Sequence, residues 1–243
     1  MAKLRGLFLV TFWFVSIAFF GPIIITLTWL TKDENYMYKP IGLVIRIGLA
    51  LVGVKVDVRG LEHLDPEQAY IFTPNHQSFI EVALFVTFLG RNPGYLAKKE
   101  VFKYPIFGPG IRLMKIIPVD RSNSPAAVES ARLATRYIRA GKSYMVYPEG
   151  TRSPDGKMLP FKKGAFIMAI EAGVPIVPVT VSGATKVMPK SEFKVFPSTV
   201  HITVHEPIST AGYSKENVAE LMQRTREKIY SALSTDEAGS SSP

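Results

Sequence analysis

The sequence predicts an α/β protein: a mixed, largely parallel sheet flanked by helices, preceded by an N-terminal membrane-associated helical segment. Three observations predict it. From about Val54 onward, short strand-like runs alternate with helix-compatible stretches, as they do when crossover helices connect the strands of one sheet. Before that point, Leu7 to Leu30 carries no charged residue. Within 243 residues there is also no internal repeat, and no linker that would set off a second soluble domain. The expected boundaries are 1–53 for the membrane-associated helices, 54–233 for the globular domain and 234–243 for a disordered tail.

As a helix, Leu7–Leu30 would be roughly 36 Å long, enough to cross a bilayer core. Trp13 and Trp29, with Lys3, Arg5 and Lys32, sit where interfacial anchors belong. A signal peptide is the competing identity, but no small-residue cleavage site closes the run. Gly21-Pro22, near its middle, predicts a kink. Ile41–Val54 is a second apolar stretch, short for a span and interrupted by Arg46. It reads as an interfacial helix with Arg46 snorkelling. Two arrangements follow: a single span by the first segment, or a helical pair dipping into one leaflet. Positive charges flank Leu7–Leu30 on both sides and do not decide the orientation.

In the globular part, "VKVDVRG" alternates as a strand. Ala69–Asn75 is a strand ending in a turn, and Ser78–Leu89 is a helix closed by Gly90. "PGYLAKKE" holds a short strand and a basic loop; a Pro/Gly-broken stretch then leads to a strand at Lys115–Val119. Ser124 as N-cap and Pro125 at the first helical position open a helix that stops at Gly141. Ser143–Tyr147 is a buried strand, Pro148–Lys163 a polar loop, and Gly164–Ala172 a helix closed by Gly173. Val174 begins an apolar strand, Val200–His205 alternates as another, and Lys215 to about Leu233 is an amphipathic helix. In open α/β sheets, ligands gather beyond the carboxyl ends of strands. Asn75-His76 and Glu149-Gly150 both follow strands, so both fall there.

Composition narrows the chemistry. The absence of cysteine excludes disulfides, cysteine metal ligands and a cysteine nucleophile. The net charge of +9 suits nucleic acid, an anionic membrane surface or phosphorylated substrates. No nucleic-acid recognition motif, zinc spacing or long basic run is present, so nucleic acid is not an expected partner. The apolar N-terminus favours a membrane.

Four motifs carry functional information. In "NHQSFIE", His76 would sit at a helix start with Glu81 about a turn further on. A carboxylate accepting from one ring nitrogen fixes the tautomer and leaves the other free to take a proton from a hydroxyl. Taken alone, this histidine reads better as a turn residue beside an unrelated acid. In "VYPEGTRS", an apolar strand delivers Glu149, Gly150, Thr151 and Arg152 into a loop. Gly150 lets a ligand approach the backbone, and Thr151 and Arg152 can bind phosphate; a turn with a surface ion pair competes. Lys98, Lys99 and Arg121 follow other strands and could converge on an anion, although a solvated face suits Lys99 better. "VPIVPV", Val174–Val179, reads as core. His63, His201 and His205 lack metal-ligand spacing, and His205 belongs to a strand.

In this order and spacing, the four motifs together resemble the 1-acylglycerol-3-phosphate acyltransferase family, glycerolipid acyltransferases that acylate lysophosphatidic acid. The resemblance covers roughly Val54 to Ile208. It implies transfer of an acyl group from a thioester, acyl-CoA or acyl-carrier protein, to a free glycerol hydroxyl, yielding phosphatidic acid without a cofactor or metal. It implies His76 as base and Glu81 as its orienting carboxylate. It implies an acceptor-phosphate site of Arg152, Arg121 and Lys98, shaped by Glu149, Gly150 and Thr151, with Glu149 steadying a cation. The lipid acceptor places the enzyme at a membrane, and the cytosolic donor places its catalytic domain on the cytoplasmic face of the inner or plasma membrane, or of the endoplasmic reticulum in a eukaryote. This favours the same-side helical pair. One departure stands out: the family's usual aspartate is here Glu81, and a misplacement on the order of 1 Å can cost about 100-fold in rate. Adaptation of the site is the favoured explanation, because the other blocks are intact. The alternatives are another acceptor, such as lyso-ornithine lipid or a lysophospholipid, and a lipid-binding protein without catalysis.

Overall fold

The computed structural model describes residues 1–120, 122–189, 193–234 and 237. In chain order its elements are α1 (Ala2–Thr31), α2 (Asn35–Leu51), β1 (Lys55–Arg59), β2 (Ile71–Pro74), α3 (Ile80–Phe88), β3 (Gly94–Lys98), α4 (Phe107–Leu113) and β4 (Ile117–Val119). There follow α5 (Ser124–Arg139), β5 (Tyr144–Met145), α6 (Gly164–Ala172), β6 (Ile176–Ser182), α7 (Ala184–Val187), β7 (Thr199–Val204) and α8 (Val218–Ser231). Among the described residues, seven strands form one sheet in the order β1-β7-β6-β2-β5-β3-β4. Every pairing is parallel except β6 with β7. The predicted mixed, largely parallel sheet is therefore observed.

The register explains why the central strands read as unbroken apolar runs. Ile71 is opposite Tyr144 and Ile176, and Phe72 is opposite Met145 and Val177. Successive side chains leave a strand on opposite faces. Ile71, Tyr144 and Ile176 pack with Ile138 of α5, Phe166 of α6 and Leu221 of α8. Phe72, Met145 and Val177 pack with Leu49 of α2 and with Leu84 and Phe85 of α3. Both faces are covered, so neither row is polar.

The helical pair α1 and α2 lies on the second of these faces. Leu9 of α1 enters the main core with Leu49 of α2. The helix α1 is continuous through Pro22. Arg46 donates to the Thr87 carbonyl at 3.1 Å and lies 4.2 Å over the Phe88 ring. It thereby joins α2 to the negative end of α3.

Other local expectations shift. The cap of α5 is Asn123, whose side chain accepts from the Ala126 N–H at 3.1 Å, and not Ser124. The strands expected over Lys115–Val119 and Ser143–Tyr147 are shorter. His205 falls just past β7 and bonds to the Thr180 hydroxyl at 2.8 Å. Of the tail expected to be disordered, only Ser234 and Glu237 are described. The Glu237 carboxylate is buried and accepts from the Gly183 N–H at 2.9 Å and from the Ser182 hydroxyl.

Candidate active site

The site grows from the carboxyl end of the central strand β2. Just beyond it, the buried Asn75 side chain pairs with β6 in both directions: Nδ2 donates to the Val181 carbonyl at 2.8 Å, and Oδ1 accepts from the Val181 N–H at 2.7 Å. This amide continues the ladder one residue past the strand and fixes where His76 leaves it. The His76 backbone is then held by the loop that follows β5. Its N–H donates to Glu149 Oε1 at 2.8 Å, and its carbonyl accepts from the Ser153 N–H at 2.8 Å.

Glu81 lies in the first turn of α3, where helical N–H groups lack intrahelical partners. Its Oε1 accepts from the N–H of Gln77 at 2.7 Å and of Ser78 at 2.6 Å. Its Oε2 faces His76 Nδ1 at 2.7 Å. The carboxyl group is fully buried. Burial pushes it above the usual carboxylate range, and the bonds from His76, Gln77 and Ser78 oppose that push. The extra methylene relative to aspartate thus leaves the carboxylate in contact with the imidazole and with two backbone donors at once. The His76 side chain retains 15% of its exposure. One face of its ring is stacked on Tyr147, with centroids 3.8 Å apart and planes at 27°. Tyr147 was not among the residues expected from sequence. It lies 71 positions from His76, and only its place beside the Glu149 block marks it.

The expected phosphate-site residues divide. Arg152 is half-buried, with its guanidinium carbon 3.5 Å above the Phe79 ring. Gly150 adopts φ +73°, and a Cβ there would meet Lys162 Nζ at 3.1 Å. The close neighbour this glycine admits is thus a lysine ammonium, another group not anticipated from sequence. Thr151 is exposed. Glu149 departs from its expected part: it is buried, and its oxygens accept from backbone donors, His76 and Leu159, rather than holding a cation. Burial raises its pKa to about 7. Lys98 ends β3, two strands away from β2, so roughly 10 Å separates the strand axes. Its ammonium is exposed and 3.8 Å from Glu100. Lys99 pairs with Asp120. Arg121 lies outside the described residues. Among the described residues, no three His, Cys, Asp or Glu side chains converge as metal ligands would.

Beside this polar cluster is an apolar cavity of about 320 Å³ between α1, α2, α3 and α4. Trp13, Ile45, Val82, Ile111 and Met114 contribute to its wall, and so does Phe79. Phe79 is shared: it lines the cavity and carries Arg152 on its ring.

Comparison with known proteins bears on this arrangement. A family model described as Acyltransferase matches residues 55–182. The chain is 32% identical over 193 residues to 1-acyl-sn-glycerol-3-phosphate acyltransferase alpha of Homo sapiens, covering 78% of this chain and 68% of that one. It is 35% identical over 156 residues to the chloroplastic 1-acyl-sn-glycerol-3-phosphate acyltransferase BAT2 of Brassica napus, covering 63% and 45%. The alignments span about half the length of the chloroplastic relatives. The fold matches the crystal structure of the 1-acyl-sn-glycerophosphate (LPA) acyltransferase PlsC of Thermotoga maritima with a TM-score of 0.81. That match has 30% identity and covers 94% of this chain and 95% of the other.

Proposed function

The chain belongs to the 1-acyl-sn-glycerol-3-phosphate acyltransferase family, and from that premise we propose that it transfers an acyl group from acyl-CoA or acyl-carrier protein to the free hydroxyl of 1-acylglycerol-3-phosphate, producing phosphatidic acid. The observation that carries this reading is the 2.7 Å contact between His76 Nδ1 and the buried Glu81 carboxylate at the carboxyl end of β2. With its Nδ1–H donated to Glu81, the imidazole has Nε2 left as a base.

In the proposed reaction, Nε2 takes the proton of the acceptor hydroxyl as its oxygen attacks the thioester carbonyl. The C–O bond forms, the tetrahedral intermediate collapses and the C–S bond breaks. The leaving thiolate then takes the proton from His76. The substrate hydroxyl is itself the nucleophile, so no acyl-enzyme is required. Glu81 balances the imidazolium while it exists. Glu149 and Ser153 hold the backbone of His76, which keeps the ring in register with the reacting atoms. Arg152 supplies the guanidinium for the acceptor phosphate. Phe79 supports a shared arrangement in which the anionic head lies at Arg152 and an acyl chain enters the apolar cavity. Residues 54–233 form the catalytic domain on this reading.

We place α1 and α2 side by side in one leaflet at the cytoplasmic face. By length and composition α1 could cross a membrane. It is, however, laid along the domain from end to end. The Ala2 carbonyl accepts from the Val195 N–H at 3.0 Å, Leu9 is in the main core, and Ile24 and Ile25 pack near Met37, Tyr38 and Met114. That contact length is roughly 35 Å. Glu34, between the helices, pairs with Lys142 of the catalytic domain. Phe14, Phe19, Trp29 and Leu43 remain exposed, as lipid-facing side chains would be.

The test is acceptor-dependent thiol release by the purified protein in detergent, with acyl-CoA and acyl-carrier-protein donors in parallel and the lipid product identified by mass. Release that requires lysophosphatidic acid and yields phosphatidic acid is expected. Release with a different lysolipid alone would move the function to that acceptor, and none with any acceptor would refute catalysis.

A further inference from the structure

We propose that Tyr147 is a positioning residue for the transfer: its ring face holds the His76 imidazole in the plane that Glu81 requires and stabilises the imidazolium as it forms. This inference rests on the assignment of His76 as base. The rings are stacked, with centroids 3.8 Å apart and planes 27° apart. Glu81 reaches His76 at one ring nitrogen only, which leaves rotation about that contact unrestrained by the carboxylate. A stacked ring restrains it, because any tilt separates the two faces. The negative face of an aromatic ring also favours a cation over a neutral ring. In the proposed transfer His76 gains a proton from the acceptor hydroxyl and gives it up to the thiolate, so this favour falls on the reacting state.

Tyr147 is itself braced for the purpose. It stands two residues before Glu149, which holds the His76 N–H, so one short segment grips both the backbone and the ring of the base. Phe85 of α3 is a second ring neighbour, with centroids 6.3 Å apart. Its hydroxyl is buried, and no hydrogen-bond partner for it exists among the described residues. The face of the ring, rather than the phenol oxygen, therefore does the positioning.

The experiment compares Tyr147→Leu and Tyr147→Phe with the wild-type protein and with His76→Ala, using acceptor-dependent thiol release. Tyr147→Leu, which keeps apolar bulk without an aromatic face, should lower kcat by about 10- to 100-fold with both KM values within about twofold. Tyr147→Phe should recover kcat to within about threefold of wild type. A Tyr147→Leu kcat within about twofold of wild type, a loss confined to KM, or an equal loss in both variants would overturn the inference. Should Tyr147→Leu not fold, proton NMR of the wild-type protein still decides the stack. The His76 ring protons, assigned by their disappearance in His76→Ala, should be shifted upfield by the Tyr147 ring current, and unshifted resonances would overturn it. Failure of the underlying assignment looks different: His76→Ala would then retain turnover, whatever Tyr147→Leu did.

Discussion

Shortening Glu81 to aspartate is the most informative perturbation of this site, because it installs the acid that the family usually carries. Glu81 now makes three contacts: 2.7 Å to His76 Nδ1, 2.7 Å to the Gln77 N–H and 2.6 Å to the Ser78 N–H. Removing one methylene withdraws the carboxylate by about 1.5 Å, the length of one C–C bond. If the two backbone bonds persist, the gap to Nδ1 opens to about 4 Å, beyond hydrogen-bonding range. A misplacement of this size costs about 100-fold, equivalent to about 2.7 kcal/mol in the barrier. The expected result for Glu81→Asp is therefore a kcat lowered about 100-fold with KM little changed. Glu81→Gln should be worse, by about 10³–10⁴, because a carboxamide has one accepting oxygen for donors on two sides and selects the wrong imidazole tautomer. The assay is acceptor-dependent thiol release at saturating substrate, with thermal unfolding run beside it. Turnover by Glu81→Asp equal to or above wild type would refute the argument that this site is built for the longer acid.

Arg152→Ala should raise the acceptor KM by about 10- to 100-fold through loss of a charge-assisted phosphate contact, leaving the donor KM unchanged; an effect on the donor alone would contradict the assignment. Asn75→Ala should destabilise the fold by about 3 kcal/mol, because it strands the buried N–H and carbonyl of Val181, and thermal unfolding should fall by about 6–12 °C. Burial raises the Glu149 pKa from an ordinary 4.5 to about 7. Its neutral form thus contributes stability below about pH 4.5 that is lost as pH rises through about 7, on the order of 3 kcal/mol in all. The Tm of Glu149→Gln relative to wild type should accordingly climb between about pH 5 and 8, and parallel curves would contradict the burial argument.

Much of this architecture was legible in the sequence, for local reasons. The buried strands β2 and β6 are apolar because both faces of the sheet are covered, and β7 alternates because only one side of it is. His76, Glu81, Glu149 and Arg152 follow the carboxyl ends of β2 and β5, which are adjacent, and their sequence blocks marked them. What was hidden depends on tertiary contact. The helix α4 was masked by Pro105, Gly108, Pro109 and Gly110, which read as breakers. Gly108 is there for close approach: a Cβ would come within 2.3 Å of the Phe102 carbonyl oxygen. The antiparallel direction of β7 has no signature in its alternation, which is the same either way along the chain. The inward turn of Glu149 is set by the N–H groups of His76 and Leu159, one of them distant in sequence. Arg46 reads as an interfacial charge until α3 offers it a helix end.

Whether His76, oriented by Glu81, is the base of an acyl transfer is decided by the turnover of His76→Ala with acyl thioester and lysophosphatidic acid. Loss of the base should lower kcat by at least about 100-fold, with the protein still folded. Turnover within about threefold of wild type would contradict it and remove His76 from the chemistry.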